Sequence, residues 1–146
     1  MSGAVNGQGA TISVSTNGTT FTEISEVKSF GGIGGGTASI KDVTHLKSTA
    51  KEKKLGLKDE GQITLGGNYI EDDVGQEMLQ TARDKSTKLI MKVELANRKT
   101  PTGKGTTWVF DVFVQTFKTD GISVDETVVF DSSCEITGSV AKTKAS

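Results

Sequence analysis

The sequence predicts a mainly β domain of about eight strands, with one flanking α-helix over residues 72–84 and a long loop over residues 44–60. Three observations predict it. Valine, isoleucine and threonine recur in short blocks set off by glycine or asparagine, in a chain with 18 glycines and one proline, which is the texture of strands joined by turns. One stretch, EDDVGQEMLQTARD, spaces its apolar residues at a helical period. Another, between two strand blocks, runs roughly 17 residues, against the ~2 to 5 of an ordinary hairpin loop.

The elements follow in order. Residues 10–16 (ATISVST) alternate and then meet Asn17-Gly18, the dipeptide that most readily supplies positive φ angles, before residues 20–30 resume an extended pattern; this predicts an N-terminal hairpin. Residues 37–43, 61–70, 87–95, 106–119, 122–130 and 133–138 are six further strand candidates. In 87–95, Leu89, Met91, Val93 and Leu95 share one parity, and Lys88, Lys92 and Glu94 share the other with Ile90 as the apolar exception, as in a strand with one wet face. In TTWVFDVFVQTF, Trp108, Phe110, Val112 and Val114 fill one face, while Val109, Phe113 and Phe117 share the other with Asp111 and Gln115. That second face needs a cover, and the helix is the natural one: Val74, Met78, Leu79 and Ala82 form one apolar stripe, and Asp72 or Asp73 caps the first turn, with Asp73 and Gln76 at capping-box spacing.

At 146 residues the chain is of the size of one domain, 1–146, with small and polar ends at about 1–9 and 141–146 expected to be flexible. Lysine plus arginine number 17 and aspartate plus glutamate 18, a net charge of -1, so no global attraction to nucleic acid or an anionic membrane is expected. The single cysteine, Cys134, forms no internal disulfide, and the first residues lack both the basic start and the apolar core of a signal peptide, so folding in a reducing cytoplasm is expected. No apolar run approaches the ~18 to 20 residues of a spanning helix.

The candidate chemistry is thin. In SFGGIGGGTAS, Thr37 stands where a dinucleotide fingerprint needs glycine and a P-loop needs lysine, and a strand follows instead of a helix. A strand connection, or backbone passing close to a neighbour, accounts for those glycines. TPTGKGTT fits a hairpin tip, since Gly105 replaces the serine or threonine of a phosphate loop. His45 is the only histidine, which leaves no pair for a metal and no base with a partner. Cys134 precedes Ile136 on an alternating strand and is expected in the core. No GxSxG is present. The expectation is of no enzyme, no cofactor and no metal.

The stretch DVTHLKSTAKEKKLGLKDEG, residues 42–61, carries five lysines and no aromatic residue, and Asp42, Glu52, Asp59 and Glu60 offset four of them. Nucleic-acid patches interleave aromatics for stacking, so this one is a poor DNA binder. Leu46, Ala50, Leu55 and Leu57 are apolar residues a purely solvated loop does not need. An arm that docks on another chain uses both features.

The run VTHLKSTAKEKKLGLKDEGQITLGGNYIEDDVGQEMLQTARD, residues 43–84, resembles the tail tube (major tail) proteins of long-tailed bacteriophages: a DVTHL-STAKE-like segment, then GLKDEG-I-L-GN, then a short acidic-capped helix. The later W-F-V strand, DGISVDETV and ITGS extend the likeness over most of residues 20–140. The resemblance implies a β-sandwich or barrel-like fold flanked by one helix, similar in architecture to type VI secretion tube proteins. Copies would assemble into stacked, typically hexameric rings forming a hollow tube in the virion tail, put together in the host cytoplasm, with other tail proteins at the tube ends. Genomic DNA would pass through the lumen without specific binding, and no membrane is involved. By position, residues 44–58 are the loop that contacts neighbouring subunits, which makes His45, Leu46, Lys47, Lys51, Glu52, Lys53, Lys54, Leu55, Leu57 and Lys58 the candidate interface residues. The family has no catalytic residue to transfer. The alternative is a small β-barrel ligand- or carbohydrate-binding module, for which one tryptophan and one tyrosine offer little pocket material.

Overall fold

The computed structural model describes residues 7–146. Among them are nine strands and one helix: β1 (Thr11–Ser15), β2 (Thr22–Glu23), β3 (Val27–Gly31), β4 (Ala38–Asp42), β5 (Lys53–Lys58), β6 (Gln62–Asn68), α1 (Val74–Lys85), β7 (Lys88–Glu94), β8 (Thr107–Asp120) and β9 (Val129–Thr143). Seven strands form one curled sheet in the order β2-β1-β7-β8-β9-β6-β3, and β4 and β5 form a separate two-stranded sheet. All pairings are antiparallel.

Alternation dictates the core. Ile12 and Val14 on β1, Ile63 and Leu65 on β6, Leu89, Met91 and Val93 on β7, and Phe110, Val112 and Val114 on β8 point inward with Phe130, Cys134 and Ile136 of β9. They form one buried cluster, which Leu79 and Ala82 of the helix complete. The predicted N-terminal hairpin is present, with Ser13 opposite Glu23 and Val14 opposite Thr22. Its turn is held by side chains: Asn17 Oδ1 accepts from the Thr19 and Thr20 amides at 2.9 and 3.0 Å, and Ser15 Oγ accepts from the Gly18 amide at 2.9 Å.

Four expectations are corrected. The extended run 20–30 is broken into β2 and β3, because Glu26 takes a left-handed conformation (φ 53°) that no strand continues through. Residues 122–130 are not a strand up to position 128: β8 runs to Asp120, which pairs directly with Val129 of β9, so the intervening residues are the hairpin connection and have no ladder to join. Residues 133–138 lie inside the 15-residue β9. The outer face of β8 is not covered by the helix. An irregularity between Val114 and Thr116 adds one residue to β8, so Phe117 turns into the core and stacks on Phe130 with ring centroids 5.4 Å apart. Phe113 stays outside, 44% exposed, and the helix packs on the core face instead.

The helix is one residue displaced from the predicted span at its C-terminal end and begins after the predicted cap. Asp73 is the N-cap, its carboxylate accepting from the Gln76 amide at 3.0 Å. Arg83 and Lys85 in the last turn suit the negative end of the helix dipole. Val74, expected in the apolar stripe, is exposed, and Gln76 is buried. At the C-terminus, β9 continues through Thr143, and the Ser146 carbonyl accepts from the Lys99 amide at 2.8 Å, so the last residues are tied to the 97–105 connection.

Candidate subunit-interface arm

β4 and β5 leave the main sheet as a hairpin, so residues 53–58 of the predicted loop are a strand and the true connection is 43–52. The lysines around Leu55 and Leu57 hide this in the sequence, because the partner strand leaves both faces of the pair in solvent. The glycines of SFGGIGGGTAS make the neck. A side chain at Gly36 would occupy the Asp59 carbonyl, so the segment leading into β4 and the one leaving β5 approach more closely here than any other residue permits. Below the neck, Gly61 accepts from the Ile136 amide at 2.9 Å, anchoring the arm's base to β9.

The tip is ordered by its own short polar side chains. Asp42 accepts from the Thr44 hydroxyl at 2.5 Å and from the Thr44 amide at 3.0 Å. Thr44 Oγ1 in turn accepts from the Glu52 amide at 2.9 Å, and Val43 donates to the Glu52 carbonyl at 2.9 Å. The Thr44 hydroxyl, and then its amide, hold the Asp42 carboxyl below the usual carboxylate range. His45 Nε2 lies 3.3 Å from the Glu52 carboxylate. The histidine is a turn residue with one acidic neighbour, which is no catalytic or ligating arrangement.

The two faces of the arm differ. One sets Ile40 opposite Leu55 and Asp42 opposite Lys53; the other sets Lys41 opposite Lys54. Like charges directly opposite each other repel, and an isolated two-stranded hairpin is marginal in water. Among the described residues nothing relieves either problem: Leu55 is 66% exposed, and Leu57, beside the irregularity that precedes Ala38–Lys58, is 92% exposed. All ten predicted interface residues are exposed on this arm. His45, Leu46 and Lys47 sit in the tip with Lys51 and Glu52, and Lys53, Lys54, Leu55, Leu57 and Lys58 sit on β5. Ile40 was missed. Its signal was its place as the one large apolar residue between Ser39 and Lys41 in a predicted strand.

Two other features bear on chemistry. Cys134 is buried, and burial pushes its thiol up to about 11, with the Ser132 hydroxyl 3.8 Å away offsetting part of that shift. It is an inert core group. Among the described residues, no group of three histidine, cysteine or acidic side chains is placed to hold a metal, and no helix is long and apolar enough to cross a membrane.

No protein-family model and no curated protein sequence matches the chain. Solved structures match its fold. A chain of the anti-feeding prophage baseplate aligns with a TM-score of 0.71 at 8% identity, covering 99% of this chain and 98% of that one. A chain of the SPP1 tail tube aligns at 0.69 and 11% identity over 97% and 80%. A chain from the tail of an empty GTA particle, refined with C6 symmetry, aligns at 0.70 and 17% identity over 96% and 99%. The chain thus has the fold of tail tube proteins over almost its whole length.

Proposed function

We propose that this chain is a structural tail tube subunit, whose copies assemble into stacked hexameric rings around a channel that genomic DNA crosses without specific binding. The observation that carries this is the β4–β5 arm. It offers an apolar pair, Ile40 and Leu55, on one face and a lysine pair, Lys41 and Lys54, on the other, and no described residue of its own chain covers either. Such a hairpin becomes favourable when a second molecule buries the first face and supplies carboxylates to the second. A ring closes through unlike patches on successive copies, and the C6 symmetry of the GTA tail supports six per ring. The mixed charges suit register between copies more than raw affinity.

Passage of DNA fits a surface that does not hold phosphate. The outward positions of β6, β9 and β8 include Thr64, Ser133 and Glu135, with Thr116 and Ser133 hydroxyls bonded at 2.9 Å, and small polar groups and carboxylates of this kind release no counterions to bind DNA. Other tail proteins at the tube ends and a location in the virion tail, after assembly in the host cytoplasm, belong to the same proposal. It requires no catalytic group, cofactor or membrane.

Electron microscopy of the purified protein at rising concentration tests it, together with size-exclusion chromatography. Rings or tubes of uniform diameter support the proposal. A chain that remains monomeric at high concentration, and virions that keep full tails without it, sink it and return the small binding module.

A further inference from the structure

Away from the arm, the β8–β9 connection exposes two apolar side chains, Ile122 (81%) and Val124 (100%). The tip is held in place at its base by the Asp120–Val129 pair and by the Tyr69 amide donating to the Val128 carbonyl at 2.9 Å. It is also acidic, with Asp125 and Glu126 beside Val124 and no basic residue between positions 121 and 128.

A matching concavity opens where the curled sheet fails to close. It measures about 830 Å³ and is lined by Ile12, Phe30, Ile33, Val93 and Trp108, with Lys28 on its wall. Lys142 Nζ stands 5.7 Å from the Trp108 ring centroid, adding a second cation at that end. The cleft is apolar inside with basic groups beside it, and the tip is apolar with acidic groups beside it. The two are complementary in both properties, and oppositely charged margins around an apolar contact steer encounter and set register.

We propose that the Ile122–Val124 tip of one copy seats in this cleft of the next, as a second contact that propagates the tube. The occupant comes from another copy because Asp120 lies twelve residue steps beyond Trp108 along extended β8, roughly 40 Å along the strand at ~3.3 Å per residue. Knob and socket therefore form a heterologous, head-to-tail contact, the kind that repeats without limit along an axis. This inference rests on the tail tube reading, but it concerns a different surface from the arm.

Two experiments on the full chain test it. I122D/V124D should keep the wild-type melting temperature, since both side chains are exposed, and should raise the concentration needed for tube growth at least tenfold. Oxidation of a V124C/K28C double variant should give a ladder of covalent multimers, whereas V124C alone gives none beyond a dimer. Wild-type tubes combined with unaltered growth of I122D/V124D and no ladder overturn the knob and socket while leaving the tube reading standing. A ladder from a protein that forms no tubes does the reverse. A crosslink confined to monomers, or a cleft filled by a small ligand or by another segment of the same copy while tubes still form, also overturns it.

Discussion

The side-chain amide of Gln76 donates to the Asn68 carbonyl at 2.9 Å from inside the protein, where Gln76 is almost wholly buried. The same amide nitrogen donates to the Ser25 carbonyl at 3.2 Å, and its oxygen accepts from the Ile70 amide at 2.9 Å. One residue on the first turn of α1 thus ties the β2–β3 connection to the end of β6. Asp73 reinforces the joint by accepting from the Ser25 hydroxyl at 2.7 Å as well as capping the helix. The two side chains fix the helix against the core face of the curled sheet, where Leu79 and Ala82 join the buried cluster.

Gln76→Ala is expected to destabilise the fold by about 1–3 kcal/mol, because it leaves buried backbone carbonyls and an amide without partners. Gln76→Glu should cost at least as much at neutral pH, since a carboxylate cannot donate to the Ser25 and Asn68 carbonyls. Urea unfolding followed by circular dichroism reads both. A loss of under about 0.5 kcal/mol for Gln76→Ala, the range of an ordinary surface change, would show that water replaces the amide without penalty.

At the neighbouring position two effects oppose each other. Glycine to alanine inside a helix ordinarily gains up to about 1 kcal/mol from propensity. At Gly75, however, an added Cβ would lie 2.6 Å from the Glu23 carbonyl oxygen and 2.8 Å from Ile24 Cα. Both obstacles are backbone, which cannot swing aside. Gly75→Ala is therefore expected to destabilise, by about 1–3 kcal/mol as other overpacking changes do, and thermal unfolding gives the sign directly.

Asp73 and Gln76 also show what a single sequence conceals. The capping role of Asp73 was legible, because a cap bonds three residues away and leaves a local spacing in the chain. Gln76 was legible only as a capping-box partner; its side-chain contacts are 51, 8 and 6 residues distant, outside the capping-box spacing. The same limit explains β5. Alternation identified β1, β7 and most of β8 because the apolar residues at one parity, such as Ile12 and Val14 of β1 or Leu89, Met91 and Val93 of β7, are the ones buried in the core. Lys53–Lys58 has no buried large side chain on either face, so period-2 patterning had nothing to act on. Phe117 reversed faces through one extra residue in β8, a shift that no count of parity can foresee. The leucines that suggested a docking arm, Leu46, Leu55 and Leu57, are exposed on the hairpin as they were expected to be on a loop.

Cys134 makes the fold sensitive to alkali. Its folded thiol titrates near 11 against an ordinary 9.0, because burial disfavours the thiolate. Between those values the unfolded chain releases the proton and the folded chain keeps it, so stability falls as pH rises. The contribution is fully present below about pH 9 and is lost by about pH 11, on the order of 2–3 kcal/mol. Cys134→Ala should flatten that part of the pH profile in urea titrations. At pH 8, thiol reagents should label the native protein far more slowly than the urea-unfolded chain, and equal rates would contradict a buried, protonated thiol.

The arm predicts a separation between folding and assembly. Leu55 and Leu57 are exposed and lie outside the core cluster, so L55D/L57D should change unfolding free energy by no more than about 0.5 kcal/mol. The same change should abolish rings, because it places carboxylates on the face that a neighbour must dehydrate. Lys41 and Lys54 face each other on the opposite side, so K41E should relieve the like-charge pair and modestly stabilise the isolated arm while weakening its attraction to an acidic neighbour. Sedimentation velocity of the three proteins beside their urea curves decides the matter. If L55D/L57D unfolds the domain, the leucines serve the fold and the arm is not an interface. If it assembles like wild type, the contact between copies lies elsewhere. A folded monomer from L55D/L57D, with K41E folded and assembling only at higher concentration, is the outcome that the two-faced hairpin requires.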